Sequence, residues 1–392
     1  MRKIGYILLP IIIGIITFTC LSNFLDSRIY RLLEVKDLNE INNEYGGIYK
    51  NKGVVYNNYV INEGNIIIQA TSELNVPVSQ KPTNFFPIEG MDDVTTLGIQ
   101  GSQDLTQLSI LASQQNILNK QVATIISIQW FYNKDGVKSE TFQSNFAPVQ
   151  FYSVLNNNKI EEKNKEKYSH RVDELLTGSN QYLPEKIYAK VYYKKDILSQ
   201  TIKVILKPYF CMRANMVKLK DKGLLYKKLI SLPNKQKKTI KNINWQNEYS
   251  KAEEQGKKMI TNNDYMVYDK YYNKNKDTLK TKKNSLNKVN LMDSKEMDDY
   301  KLYLDICDNL DIKPYVILMP TNGKWYDCLG LGKEKRQEFY DEVQKIAEER
   351  GFKVLNLKEH EYELYYMCDA SHFGWKGWLE IDEAIYNNFK KQ

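Results

Sequence analysis

Residues far apart in this chain carry the side chains that acyl-transfer chemistry needs. Ser72 stands in Gln69-Ala70-Thr71-Ser72-Glu73-Leu74, directly after the apolar run Ile66-Ile67-Ile68. Asp369 and His372 stand in Asp369-Ala370-Ser371-His372-Phe373-Gly374-Trp375-Lys376-Gly377-Trp378. A serine hydroxyl is a poor nucleophile until a base takes its proton, and the base needs a carboxylate to hold its tautomer. Asp369, within one turn of His372, can reach Nδ1 and leave Nε2 facing a serine. The other histidines, His170 in a lysine-rich stretch and His360 between Glu359 and Glu361, read as surface residues. Thr71 is a competing hydroxyl, and Ser72 also suits a helix N-cap.

Attack on an ester creates an oxyanion that preorganised donors must meet. Backbone N–H groups at Ser72 and Gly101 are candidates, with a side-chain amide as third donor from Gln129 or Asn322. Asn322 lies in Pro320-Thr321-Asn322-Gly323-Lys324-Trp325-Tyr326-Asp327. Nothing in the spacing of the cysteines or histidines asks for a metal or cofactor.

The elements between these loops alternate strand and helix. Asn65–Ile68, Val94–Leu97, Val122–Ile128, Pro314–Met319 and Phe352–Leu355 read as short buried strands. Leu105–Leu118, Tyr300–Leu310, Glu334–Arg350 and Trp378–Phe389 read as helices, with Gly351 closing the third. This rhythm implies an α/β fold with a parallel sheet. Sites in such folds form at the carboxyl ends of strands. Ser72, Gly101, Gln129, Asn322 and His372 each follow a different strand, so all fall on one edge.

From about Asn156 to Lys288 the composition shifts to Lys, Asn and Tyr, and a largely helical insertion is expected, with some β-like alternation in Leu183–Lys207 and a loop at Thr278–Lys288. At the N-terminus Arg2 and Lys3 precede an uncharged stretch from Ile4 to Leu25. At about 1.5 Å rise per residue it spans roughly 33 Å, enough for a bilayer core. No good cleavage site follows, so an uncleaved anchor with a cytoplasmic N-terminus and an external domain is expected. The expected organisation is an anchor (1–25), a juxtamembrane stalk (26–56), a first catalytic part (57–155), the insertion or cap (156–290) and a second catalytic part (291–392).

The 392 residues carry a formal charge of +8 and 29 tyrosines. A basic balance suits an anionic partner such as a membrane surface or a polyphosphate. A nucleic-acid role rests on charge alone and loses to the anchor. Cys20, Cys211, Cys307, Cys328 and Cys368 show no C-x-x-C spacing, and whether Cys328 and Cys368 pair is left open.

The order of serine, aspartate and histidine resembles that of SGNH/GDSL acyl hydrolases. The whole chain is similar to the DltD family of D-alanyl-lipoteichoic acid biosynthesis proteins. The resemblance rests on Ala70-Thr71-Ser72-Glu73-Leu74, Pro82-Thr83-Asn84-Phe85-Phe86, Ser127-Ile128-Gln129-Trp130-Phe131, Asn263-Asp264-Tyr265 with Tyr271-Tyr272, the Pro320–Asp327 block and the Asp369–Trp378 block. It departs at Ala70, Thr71, Lys81 and Ile128, none of them a member of the Ser-His-Asp set. It implies an SGNH-like three-layer fold and an external, membrane-anchored protein. It implies transfer of D-alanine to lipoteichoic acid through Ser72, His372 and Asp369, with Lys324, Trp325 and lysines of the insertion as candidates for holding the substrate, and with the membrane acyltransferase DltB and other D-alanylation proteins as partners. The alternatives are a cell-surface SGNH esterase or thioesterase, and a non-catalytic assembly protein of the same complex.

Overall fold

The computed structural model describes residues 2–91, 93–115, 117–118, 120–236 and 240–390. Helix α1, Arg2–Val35, opens the chain. A five-stranded sheet follows, made of β1 (Ile66–Gln69), β2 (Val94–Leu97), β3 (Val122–Ser127), β4 (Tyr315–Met319) and β5 (Val354–Asn356), in the order β2-β1-β3-β4-β5. Every pairing is parallel. The β-branched strand residues fit a sheet buried on both faces. Ile66, Ile68, Ala123, Ile125, Ile317 and Met319 point into one apolar cluster, and Ile67, Val122, Ile126, Val316 and Leu318 point into the other. Two apolar layers therefore enclose the sheet. The strand order reverses at β1, between β2 and β3, where the carboxyl ends open a crevice.

Helix α2 (Asp104–Ala112) follows β2 and lies on the second of those clusters. The expected helix to Leu118 is shorter, because Ser113 Oγ and Gln114 Nε2 both turn back to donate to Ile110 O (2.8 and 3.1 Å). Asn116, within that expected span, lies outside the described residues.

Between β3 and β4 the described residues form helices and turns and no strand of the sheet. The longest helix, α3, is Ile197–Ser231. Leu183–Lys207 holds no strand-like segment. It is the helix Leu183–Tyr193, a short break, and the start of α3, where Asp196 caps by accepting from Ser199 N–H at 2.9 Å. The expected loop at Thr278–Lys288 begins inside a helix, Asp269–Thr281, because Leu279 is buried against the core. Helix α4 (Lys295–Asn309) packs on α2. Helix α5 (Gly323–Leu329) follows β4, and α6 (Trp375–Phe389) closes the fold against the other face.

α1 is long and apolar enough to cross a membrane, and its most apolar window is almost uncovered by protein. Its last turns are packed: Leu25, Ile29 and Leu33 join Ile41 and Tyr56 in a cluster with Leu225 and Leu229 of α3.

Candidate active site

The turn after β1 presents Ser72. Ala70 is fully buried and donates its N–H to Leu97 O at 3.0 Å, tying the strand end to β2. Glu73 folds back so that its Oε2 accepts from Thr71 N–H at 2.8 Å. Ser72, the first residue of the short 3₁₀ turn Ser72–Leu74, stays half-buried. Thr71 is buried and donates to Ile99 O at 3.2 Å, so the competing hydroxyl holds the neighbouring loop.

The loop bearing His372 is equally constrained. Asp369 Oδ1 accepts the backbone N–H groups of Ser371 (2.9 Å) and His372 (3.0 Å), the Asx turn that aspartate favours. Cys368 N–H donates to His372 O (2.9 Å), and Gly374 N–H donates to Tyr366 O (2.7 Å). A Cβ on Gly374 would lie 2.5 Å from Tyr365 O, so only glycine allows this approach.

These constraints place His372 Nδ1 2.9 and 2.8 Å from the two Asp369 oxygens, and His372 Nε2 2.9 Å from Ser72 Oγ. A carboxylate only accepts, so Nδ1 carries the proton and Nε2 is free to accept from the serine. Burial disfavours charge on His372, but the hydrogen bond and charge of Asp369, with Glu73 farther off, outweigh it and raise the imidazole above its ordinary range. Burial raises the Glu73 carboxyl, opposed mainly by His372. Glu73 is a contributor that the sequence reading passed over, although its place beside Ser72 was a signal.

The other expected site residues divide. Gly101, with φ +74°, belongs to the loop that Thr71 holds, and a Cβ there would lie 2.4 Å from Thr141 Cγ2. Gln129 is half-buried in the 3₁₀ turn after β3. Asn322 is buried and caps α5: its Oδ1 accepts from Trp325 N–H (3.0 Å), while Nδ2 donates to Tyr265 O (2.6 Å). One of its amide N–H groups is therefore spent on structure. Its backbone N–H donates to Ala370 O (3.2 Å), joining the α5 loop to the histidine loop. Trp325 is buried against Tyr265 and Tyr271, with ring centroids 5.6 and 5.2 Å away. Lys324 is exposed.

The helical insertion reaches this site, which the sequence left undecided. Tyr268 N–H donates to Cys368 O at 2.8 Å. Tyr271 is raised by burial and then by the charge of Asp369. His360 is not a plain surface residue. It stacks on Tyr366 with centroids 4.1 Å apart, and Nδ1 lies 2.6 Å from Glu363. Its hydrogen bond to Glu380 first, and Glu363 after burial's opposing effect, push it to about 9. All five cysteines are unpaired.

A family model described as DltD protein matches residues 42–390. Protein DltD of Bacillus subtilis (strain 168) is 30% identical over 327 residues, which cover 82% of this chain and 82% of that protein. Protein DltD of Staphylococcus aureus (strain NCTC 8325 / PS 47) is 29% identical over 305 residues, with 75% and 73% covered. Protein DltD of Lacticaseibacillus rhamnosus is 24% identical over 294 residues, with 74% and 69% covered. The matched span takes in Ser72, Asp369 and His372 together with every strand between them, and the chain belongs to the DltD family.

Proposed function

We propose that this protein acts in D-alanylation of teichoic acids as a serine-dependent acyl transferase of SGNH type, held at the membrane by α1 with its sheet domain outside the cell. The supporting observation is the hydrogen-bonded series from Asp369 through His372 to Ser72. Ser72 Oγ attacks the carbonyl carbon of a D-alanyl ester while His372 Nε2 takes the hydroxyl proton. The tetrahedral intermediate collapses, the leaving group takes that proton from His372, and D-alanyl-Ser72 remains. A hydroxyl of the acceptor polymer then gives its proton to His372 and attacks the acyl carbon. Its collapse returns the proton to Ser72 and leaves the polymer esterified.

The oxyanion is met by backbone N–H groups of Ser72 and Gly101, with Gln129 or the remaining N–H of Asn322 as third donor. Transfer exceeds hydrolysis when water is excluded and the acceptor is well placed. The aromatic group of Tyr265, Tyr271 and Trp325 beside the histidine loop suits that exclusion. Lys324, exposed at the start of α5, suits a phosphate of lipoteichoic acid. The acyl donor side would be served by the membrane acyltransferase DltB.

The test is the D-alanine ester content of lipoteichoic acid in cells lacking this gene, complemented with wild type or Ser72→Ala at matched expression. Restoration by wild type alone supports serine-dependent transfer. Restoration by both replaces it with a non-catalytic assembly role. Free D-alanine released without acceptor, and not suppressed by acceptor, would favour an esterase.

A further inference from the structure

Outside α1, the densest run of exposed apolar side chains among the described residues is on α3. Ile197, Leu198, Val204 and Ile205 are 86, 70, 72 and 67% exposed, more than Leu9 or Ile15 of the apolar span of α1 at 59 and 61%. Met212 and Met216 continue the row at 54% each. At about 100° per residue these positions share one side of the helix. The opposite side, with Ile202, Leu206, Phe210 and Val217, packs on the domain core. The stripe is therefore a second apolar face that folding leaves bare.

Its direction identifies what it meets. α1 and α3 run side by side in the same sense. Lys222 Nζ donates to Ser22 Oγ (2.7 Å) and Asp26 Oδ2 (2.6 Å), and farther along both helices Lys36 Nζ donates to Leu232 O (2.7 Å). The bare N-terminal half of α3 thus lies toward the side from which the apolar half of α1 arrives. The stripe also continues the face that meets α1, since Leu219 and Tyr226 pack into the cluster with Leu25 and Ile29. Lys207, beyond one edge of the stripe, is exposed, whereas Lys203 is turned away from it, its Nζ 4.0 Å over the Tyr192 ring. A bare apolar stripe on a helix that runs beside a membrane-spanning one has the chemistry of a lipid-facing surface, and a long lysine such as Lys207 reaches from it toward the headgroups.

We propose that the N-terminal half of α3 runs on beside α1 into the outer leaflet with its apolar stripe toward lipid, giving the domain a second membrane contact that sets its orientation. The proposal rests on α1 being the membrane anchor.

The test uses the full chain in liposomes containing phosphatidylglycerol, with Cys20, Cys211 and Cys328 replaced by Ser. Nitroxide labels are placed singly at Ile205→Cys, at Ile15→Cys in α1, and at Lys258→Cys as an exposed control. Collision with oxygen, which concentrates in lipid, is compared with collision with a water-soluble nickel complex. The expected result is oxygen excess at positions 205 and 15 and nickel excess at 258. Nickel excess at 205, or closure to both reagents as under a protein partner, overturns the proposal while the anchor stands. Nickel excess at 15 overturns the anchor reading and the proposal with it. A label at Leu198→Cys in a Val204→Glu/Ile205→Glu background should lose its oxygen excess with the thermal midpoint unchanged. Retention of the excess overturns the proposal.

Discussion

His372 Nε2 lies 2.9 Å from Ser72 Oγ, although the two residues are 300 positions apart in the chain. The separation is closed by five parallel strands whose carboxyl ends share one edge, with β1 delivering the serine and the loop after β5 delivering the histidine.

Ser72→Ala should abolish covalent labelling by a fluorophosphonate probe while leaving the thermal midpoint close to wild type. The side chain is half-buried and its hydroxyl is hydrogen-bonded to His372. Labelling that persists in Ser72→Ala and disappears in Thr71→Ala would assign the nucleophile to Thr71.

The base form of His372 is neutral, so D-alanyl transfer should rise with pH through an apparent pKa above the ordinary histidine value. Asp369 is the main group favouring the imidazolium against burial. Asp369→Asn should therefore move that limb to lower pH and cut the turnover rate, on the order of 10⁴-fold as for the corresponding change in a serine protease triad. A pH–rate profile of both proteins checks this. An unmoved limb would show that another group sets it.

Gly101→Ala should impair activity more than its small size suggests. A side chain there meets Thr141 Cγ2 at 2.4 Å and occupies a backbone with φ +74°. The backbone part alone costs about 1 kcal/mol. Adding Thr141→Ser removes the clashing methyl, so the double variant should recover part, but not all, of the rate. Equal rates for single and double variants would place the defect in the backbone alone.

Asn322→Ala should lower stability by about 2 kcal/mol, adding a lost N-cap to a partly buried carbonyl left without its donor at Tyr265. Urea unfolding gives the loss. Asn322→Asp should recover the cap, because its Oδ1 still accepts from Trp325 N–H, but not the donor to Tyr265 O.

Asp104 and Glu296 join the Gly101 loop to α4 inside the core. Asp104 N–H donates to Glu296 Oε1 at 3.0 Å, and both carboxyls are fully buried. Burial raises both well above the carboxylate range, and for Glu296 the charge of Asp104 adds to it. The folded state therefore holds protons that the unfolded chain releases near pH 4. Stability from this pair is complete below that pH and is lost as pH rises through the folded values, at about 1.4 kcal/mol for each unit of upward shift. Glu296→Gln should flatten the fall in urea midpoint between mildly acid and mildly alkaline pH. An unchanged slope would remove the pair as its source.

Much of this protein was legible in its residues. β-branched runs of four to six residues, recurring between helical segments, determined the parallel sheet, because such runs satisfy burial on both faces. The spacing of Asp369 and His372 determined their contact, since three residues lie within reach across one turn. The apolar length after Arg2 and Lys3 determined that α1 can span a membrane. Tertiary packing decided the rest. Periodicity could not show that the helix Asp269–Thr281 and the stretch before it fold back onto the histidine loop, because that contact is a main-chain bond from Tyr268 to Cys368. Nor could it show that Asn322 spends an amide N–H on Tyr265, that His360 lies between two carboxylates, or that Asp104 and Glu296 meet. Each depends on segments distant in the chain or brought together by a loop's fold, and local sequence carries the chemistry of a side chain but not the partner it will find.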